Sequence, residues 1–171
     1  YLFSDTDTPD VDNLFAKIGS GAPHLCFGGH TDVVPVGDEN AWSSNPFEAT
    51  EKNGKLYGRG ASDMKSAIAA FVSAVREYLE NNQVKGTISL LITNDEEGPA
   101  INGTRKVLEE IYKNGEKIDS CLVGEPTCPN NLGEMIKIGR RGSMTTTIKV
   151  SGKQGHVAYP EWTLNPINPL T

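Results

Sequence analysis

At 171 residues the chain is long enough for one domain, or one domain and the beginning of another, around a sizeable core. With 37% hydrophobic and 22% charged residues, and no apolar run near membrane-span length, a membrane role is not expected. Its 22 acidic residues outnumber 16 basic ones for a net charge of −6, which argues against a nucleic-acid partner and suits cations wherever the acids cluster.

The opening residues YLFSDTDTPD are acidic and lack the basic and apolar regions of a secretory signal. They also lack an initiator Met, so the true N-terminus is expected to lie upstream. Cys26, Cys121 and Cys128 form no CxxC pair and cannot all pair with one another, so a disulfide framework is not expected and a reducing cytoplasm is. Asn102-Gly103-Thr104 fits a glycosylation triplet, but such triplets arise often by chance and need a secreted context.

The apolar run His24–Gly29 ends in glycines and predicts an interior strand. Met64, Ala67, Ile68, Phe71, Val72, Val75, Tyr78 and Leu79 recur at helical spacing and predict an amphipathic helix over 64–81. Thr87–Thr93 is β-rich with hydrophobics on both faces, as in a covered sheet. A second helix is predicted over about 103–114, stopped by Asn114-Gly115, and a third strand at Cys121–Val123, stopped by Pro126. Strands alternating with helices imply an α/β layered domain over 1–142. From about residue 143 the pattern changes to an alternating strand, Met144–Val150, where a second domain (143–171) is expected to begin. The proline-rich ending Asn165–Thr171 closes no obvious fold unit, so truncation is expected.

In open α/β sheets ligands bind beyond the carboxyl ends of the strands. The residues there are His30, Asp32, Asp95, Glu96, Glu97 and Glu125, with Asp63 just before the long helix. Imidazole nitrogen and carboxylate oxygen suit zinc, and a carboxylate can bridge two cations about 3.5–4 Å apart. Each acid taken singly reads as a solvated loop residue; the repetition of one placement at three strand ends and a helix start brings a metal site level with that reading. No GxGxxG fingerprint or GxxxxGK[ST] loop occurs, so nucleotide binding is not expected. Trp42 and Trp162 read as packing or lid residues.

Five blocks stand in order: His30-Thr31-Asp32-Val33-Val34-Pro35, Gly58-Arg59-Gly60-Ala61-Ser62-Asp63-Met64-Lys65, Thr93-Asn94-Asp95-Glu96-Glu97-Gly98, Val123-Gly124-Glu125-Pro126 and Gly155-His156-Val157-Ala158-Tyr159-Pro160. Together they resemble the signature blocks of the aminoacylase/carboxypeptidase family of di-zinc hydrolases, over about residues 24–160. The resemblance implies a three-layer α/β catalytic domain with a mixed, mostly parallel sheet, followed by the start of an α+β lid and dimerisation domain. It implies that His30 and Glu125 bind one zinc, Glu97 the other, and Asp63 both, with cobalt a possible substitute. Asp32 would accept the second ring N–H of His30, and Glu96 would be the general base. His156 would reach the partner subunit's active site in a homodimer and stabilise the oxyanion, while Arg140, Arg141 and Tyr159 would bind substrate. A cis peptide is expected between Asp63 and Met64.

The implied substrate is a small N-acyl amino acid. The wording of Gly139–Ser143 and Gly152–Pro160 favours N-succinyl-LL-2,6-diaminopimelate, hydrolysed to succinate and LL-2,6-diaminopimelate in lysine biosynthesis. The alternatives are an acetylornithine deacetylase or another metallo-aminoacylase or carboxypeptidase of the family and, from a different class, an inactive metal-binding fragment. Retention of Glu96, which metal binding alone does not require, counts against the last. Two departures stand out. Glu161–Pro166 follows Pro160 where the family usually has a histidine, and the second histidine ligand has no candidate, since His24 lies at a strand start. The second zinc site is therefore expected to be incomplete, and the chain by itself to hold about one zinc tightly and to be inactive.

Overall fold

Alternation along one central strand places the two main helices on opposite faces of a sheet. The structure is a computed structural model describing residues 1–168. Within it the chain falls into two units, Tyr1–Glu134 and Met135 onward, each considered by itself. The sequence places this division at 142/143.

In the first unit, β1 (Leu2–Asp5) and β2 (Thr8–Asp12) form an antiparallel hairpin. They are followed by β3 (Leu14–Gly19), β4 (His24–His30) and a small hairpin of β5 (Thr50–Lys52) and β6 (Lys55–Tyr57). Helix α1 (Ser66–Asn81), β7 (Thr87–Thr93), α2 (Thr104–Lys113) and β8 (Ser120–Val123) complete it. The main sheet has the order β3-β7-β4-β8. β4 runs parallel to both β7 and β8, and β3 runs antiparallel to β7. This is the mixed, mostly parallel sheet expected of the fold.

Successive side chains of β4 point to opposite faces. Cys26 joins Leu91, Val107 and Ile111 in a core beneath α2, while Phe27 stacks on Phe71 of α1 with ring centroids 4.4 Å apart. The sheet is thus covered on both sides, which is why β4 and β7 read as near-continuous apolar runs. Val107 and Ile111 are fully buried, and each contributes roughly 1.5–3 kcal/mol on that account. Gly29 permits the close approach of α1 and of the turn before it: a Cβ there would lie 2.9 Å from Met64 Cε and 3.1 Å from Ile68 Cγ1.

The predicted strands and helices of this unit form within a residue or two of their expected bounds. At the start of the first helix, residues Ala61–Lys65 instead make a wide π-type turn in which Asp63 and Met64 have non-helical dihedrals. The Asp63–Met64 peptide is cis, as the resemblance implied. No described helix is long and apolar enough to cross a membrane.

In the second unit one expectation fails. Met144–Val150 forms no strand, and the described pairing there is a single antiparallel bridge between Lys153 and Leu164. Alternation makes a segment competent to pair, but a strand needs a neighbour to supply its hydrogen bonds. Of the proline-rich ending read in the sequence, residues 169–171 lie outside the described residues.

Candidate metal centre

His30 is the last residue of β4 and only 1% exposed. Its Nδ1 lies 2.9 Å from the Asp32 carbonyl oxygen and 3.4 Å from Asp32 Oδ1. The nearer acceptor is therefore the backbone of Asp32 rather than the carboxylate expected from the sequence. A carbonyl can only accept, so Nδ1 carries the proton and Nε2 is left as the donor atom for whatever lies beyond it. Beyond it are Asp63 Oδ1 at 3.0 Å and Glu125 Oε1 at 3.4 Å. A lone pair facing two carboxylates is stable only with a proton or a cation between them.

The chain brings these groups together from three places. β4 and β8 are parallel neighbours, so His30 and the Glu125 loop leave the sheet at the same end. The turn before α1 supplies Asp63. The loop after β7, strand partner of β4 on its other side, supplies Glu96 and Glu97.

That loop is held by two carboxylates, Asp32 and Asp95. Asp32 Oδ2 accepts the backbone N–H of Glu96 at 2.9 Å and of Glu97 at 2.8 Å. Asp95 is one of the acids at the strand ends. It is buried and turned away, accepting N–H groups from Ala100 (3.0 Å), Ile101 (2.9 Å) and Asn102 (2.8 Å). Nothing in the spacing of an Asp-Glu-Glu triplet separates the residue that braces the loop from the two it presents; only the path of the backbone does.

Two groups of ligand atoms cluster within 4.8 Å: His30, Asp63 and Glu125, and His30, Glu96 and Glu97. His30 thus belongs to both, and Asp63 to the first. The electrostatics match this crowding. Burial, then the neighbouring Asp63, pushes the Glu125 carboxyl above its usual range. The Glu97 carboxyl is raised by burial, then by Asp63 and Glu96. Burial pulls the His30 imidazole down, but its contacts with the Asp32 carbonyl and Asp63, reinforced by Glu125, outweigh that and leave it raised. Each shift favours holding positive charge in the cluster. Asp32 Oδ1 is buried without a hydrogen-bond partner, a further anionic atom turned inward. Imidazole nitrogen with carboxylate oxygens is a donor set that fits zinc.

His24, at the other end of β4, is equally buried, but its ring has neutral partners: Nδ1 is 2.9 Å from the Lys117 carbonyl and Nε2 is 2.7 Å from Ser89 Oγ, while its backbone N–H donates to Asp119 Oδ2 at 2.8 Å. Trp42 packs beneath the Arg59 guanidinium at 5.1 Å and donates to the Val36 carbonyl. The remaining sequence candidates belong to the second unit. There His156 Nδ1 accepts the Ala158 N–H at 3.1 Å, its ring lies 5.8 Å from that of Tyr159, and Tyr159 stacks on Trp162 at 5.5 Å. Arg140 and Arg141 are exposed.

Residues 26–168 match peptidase family M20/M25/M40. A succinyl-diaminopimelate desuccinylase of Parvibaculum lavamentivorans is 61% identical over 165 residues, which are 96% of this chain and 42% of that protein. A protein of the same name from Rhodospirillum centenum is 57% identical over 166 residues, 96% of this chain and 43% of that one. The chain therefore spans less than half the length of these relatives. Among solved structures, the M20 family metallo-carboxypeptidase Sso-CP2 of Sulfolobus solfataricus superposes with a TM-score of 0.59 at 30% identity, over 70% of this chain and 27% of that one. Human carnosine dipeptidase 1 does so at 0.58 and 30%, over 69% and 26%. With a match that covers most of its length, and a fold and acidic strand ends to agree with it, this chain belongs to peptidase family M20/M25/M40.

Proposed function

We propose that the chain carries the larger part of a two-zinc amide hydrolase centre acting on N-succinyl-LL-2,6-diaminopimelate and releasing succinate and LL-2,6-diaminopimelate. The observation that carries this reading is His30 Nε2 facing Asp63 Oδ1 at 3.0 Å and Glu125 Oε1 at 3.4 Å, a buried nitrogen opposite two carboxylates. The names of the relatives supply the choice of acyl group. His30, Asp63 and Glu125 would hold the first ion, and Glu97 with Asp63 the second, with cobalt able to replace zinc. Ions held there polarise an amide carbonyl and ease deprotonation of water.

The residues of this chain do the rest. Glu96, although it lies in the second cluster, would act as the base rather than as a ligand: it takes the proton of the attacking water on a carboxylate oxygen and returns it to the nitrogen of the leaving amine. Asp32 holds that loop by its two backbone N–H groups and keeps the His30 ring turned by its carbonyl. His156 stabilises the oxyanion in the partner subunit of a homodimer, Arg140 and Arg141 bind the substrate's carboxylates, and Tyr159 is a further substrate-binding residue.

Placing this chain's residues in the Parvibaculum relative, in place of the matching segment, tests the proposal. The chimera should hydrolyse N-succinyl-LL-2,6-diaminopimelate faster than N-acetylornithine and stop when zinc is removed. Preference for N-acetylornithine would overturn the substrate, and turnover that survives full metal removal would overturn the centre.

A further inference from the structure

Two of the three cysteines face each other across the parallel ladder of β4 and β8. The register pairs Cys26 directly with Cys121. Paired residues on adjacent strands project to the same face, and neighbouring strands lie about 4.7–4.9 Å apart, inside the roughly 4.4–6.8 Å Cα separation that a disulfide spans. A second, independent observation fixes the direction of the thiol. A Cβ built on Gly28, two residues from Cys26 on that face, would lie 3.7 Å from Cys121 Sγ. The Cys121 sulfur therefore points back over β4, on the face that carries Cys26. None of the three cysteines is in a disulfide.

We propose that Cys26 and Cys121 form a reversible thiol–disulfide site, closed by a small-molecule disulfide or equivalent thiol oxidant. Among the described residues the two differ in access: Cys26 is 1% exposed in the core, whereas Cys121 is exposed on β8, the outermost described strand of the sheet. That difference sets the order of events. The Cys121 thiolate attacks one sulfur of the oxidant, whose S–S bond breaks, and the departing thiolate takes up a proton. Cys26 then loses its proton, its sulfur attacks Cys121 Sγ in the mixed disulfide, and the second thiol departs. Two protein thiols are oxidised and one small disulfide is reduced to two thiols. Burial pushes the Cys26 thiol up, so less of it is thiolate at a given pH and the second step speeds up as pH rises.

The crosslink would tie together the two strands that end at His30 and before Glu125, yet the inference stands on the strand register and the direction of the Cys121 thiol and does not depend on the proposed hydrolase function. The test uses the chain with Cys128→Ser, so that one intramolecular pair remains possible. After incubation with oxidised glutathione and alkylation under denaturing conditions, mass spectrometry should show both thiols lost, two hydrogens fewer and no retained glutathione. Dithiothreitol should restore both thiols. The Cys26→Ser, Cys128→Ser double variant should stop at the glutathione adduct on Cys121. A Cys128→Ser chain that keeps both thiols, or stops at the adduct, would overturn the proposal. So would a disulfide that forms only when Cys128 is present.

Discussion

β4 carries a histidine at each end, both almost completely buried, and the two do opposite things. His24 meets a carbonyl and a hydroxyl, and its ring is satisfied without any added charge. His30 meets a carbonyl on one nitrogen and two carboxylates on the other. Burial and hydrogen bonding do not separate them; the charge of the groups around them does. The carboxyl ends of β4, β7 and β8 converge on negative charge that only a cation or protons relieve, whereas at the amino end of β4 the His24 ring meets neutral groups and the Asp119 carboxylate accepts the His24 backbone N–H at 2.8 Å. That asymmetry can be broken or sharpened one residue at a time.

The largest effect is expected at the carboxyl end. In the chimera described above, Glu96→Gln should keep its zinc yet lose about 100- to 10,000-fold in turnover, because an amide cannot accept and return a proton. Metal content by atomic absorption beside initial rates checks this, and near-normal turnover would show that another group is the base. Asp32→Ala removes the acceptor of two N–H groups on the loop that presents Glu96 and Glu97. It should weaken zinc binding by about 10- to 100-fold, as loss of a partner behind a metal ligand usually does. Unchanged zinc affinity by competition with a chromogenic chelator would remove Asp32 from that role.

At the other end, His24→Ala should leave zinc affinity alone and cost stability. The Lys117 carbonyl and the buried Ser89 hydroxyl lose their partner, at about 1–3 kcal/mol in a denaturant titration. A loss of zinc binding with unchanged stability would reverse the assignment of the two ends.

The smallest effect concerns pH. The Glu125, Glu97 and His30 groups all have folded pKa values raised above their ordinary ones. A raised group contributes stability that is complete below its unfolded pKa and is lost as pH rises through the folded one. Without metal, stability should therefore fall as pH rises from the carboxylate range through the imidazole range. Zinc affinity should rise over the same interval, because the ligands must be deprotonated. Melting temperatures across pH, with and without zinc, would show the two trends, and parallel trends would argue against an acidic cluster at the site.

Much of this was legible from local pattern. β4, β7, α1 and α2 carry their periodicity in their own residues, and His30, Asp63, Glu96, Glu97 and Glu125 sit where strands end or a helix begins. β3 was not legible. Leu14–Gly19 contains Lys17, leaves Leu14 and Ile18 exposed, and becomes a strand only because the edge of β7 is there to pair with it. Met144–Val150 is the converse, with a strand-like alternation and no strand. Asp95 and Asp32 show the same limit within the site. Their carboxylates bind backbone N–H groups whose positions depend on how the loop closes, and residue type carries no record of that.

The most direct test of the central claim is a zinc titration of the chain itself beside His30→Ala and His24→Ala. Zinc in a catalytic site usually has three protein ligands, and His30, Asp63 and Glu125 supply three for one ion. The unaltered chain and His24→Ala should each take up about one zinc tightly, and His30→Ala should take up none tightly, by the same ligand count. Tight binding that survives His30→Ala but not His24→Ala would place the metal at the wrong end of the strand and contradict the account.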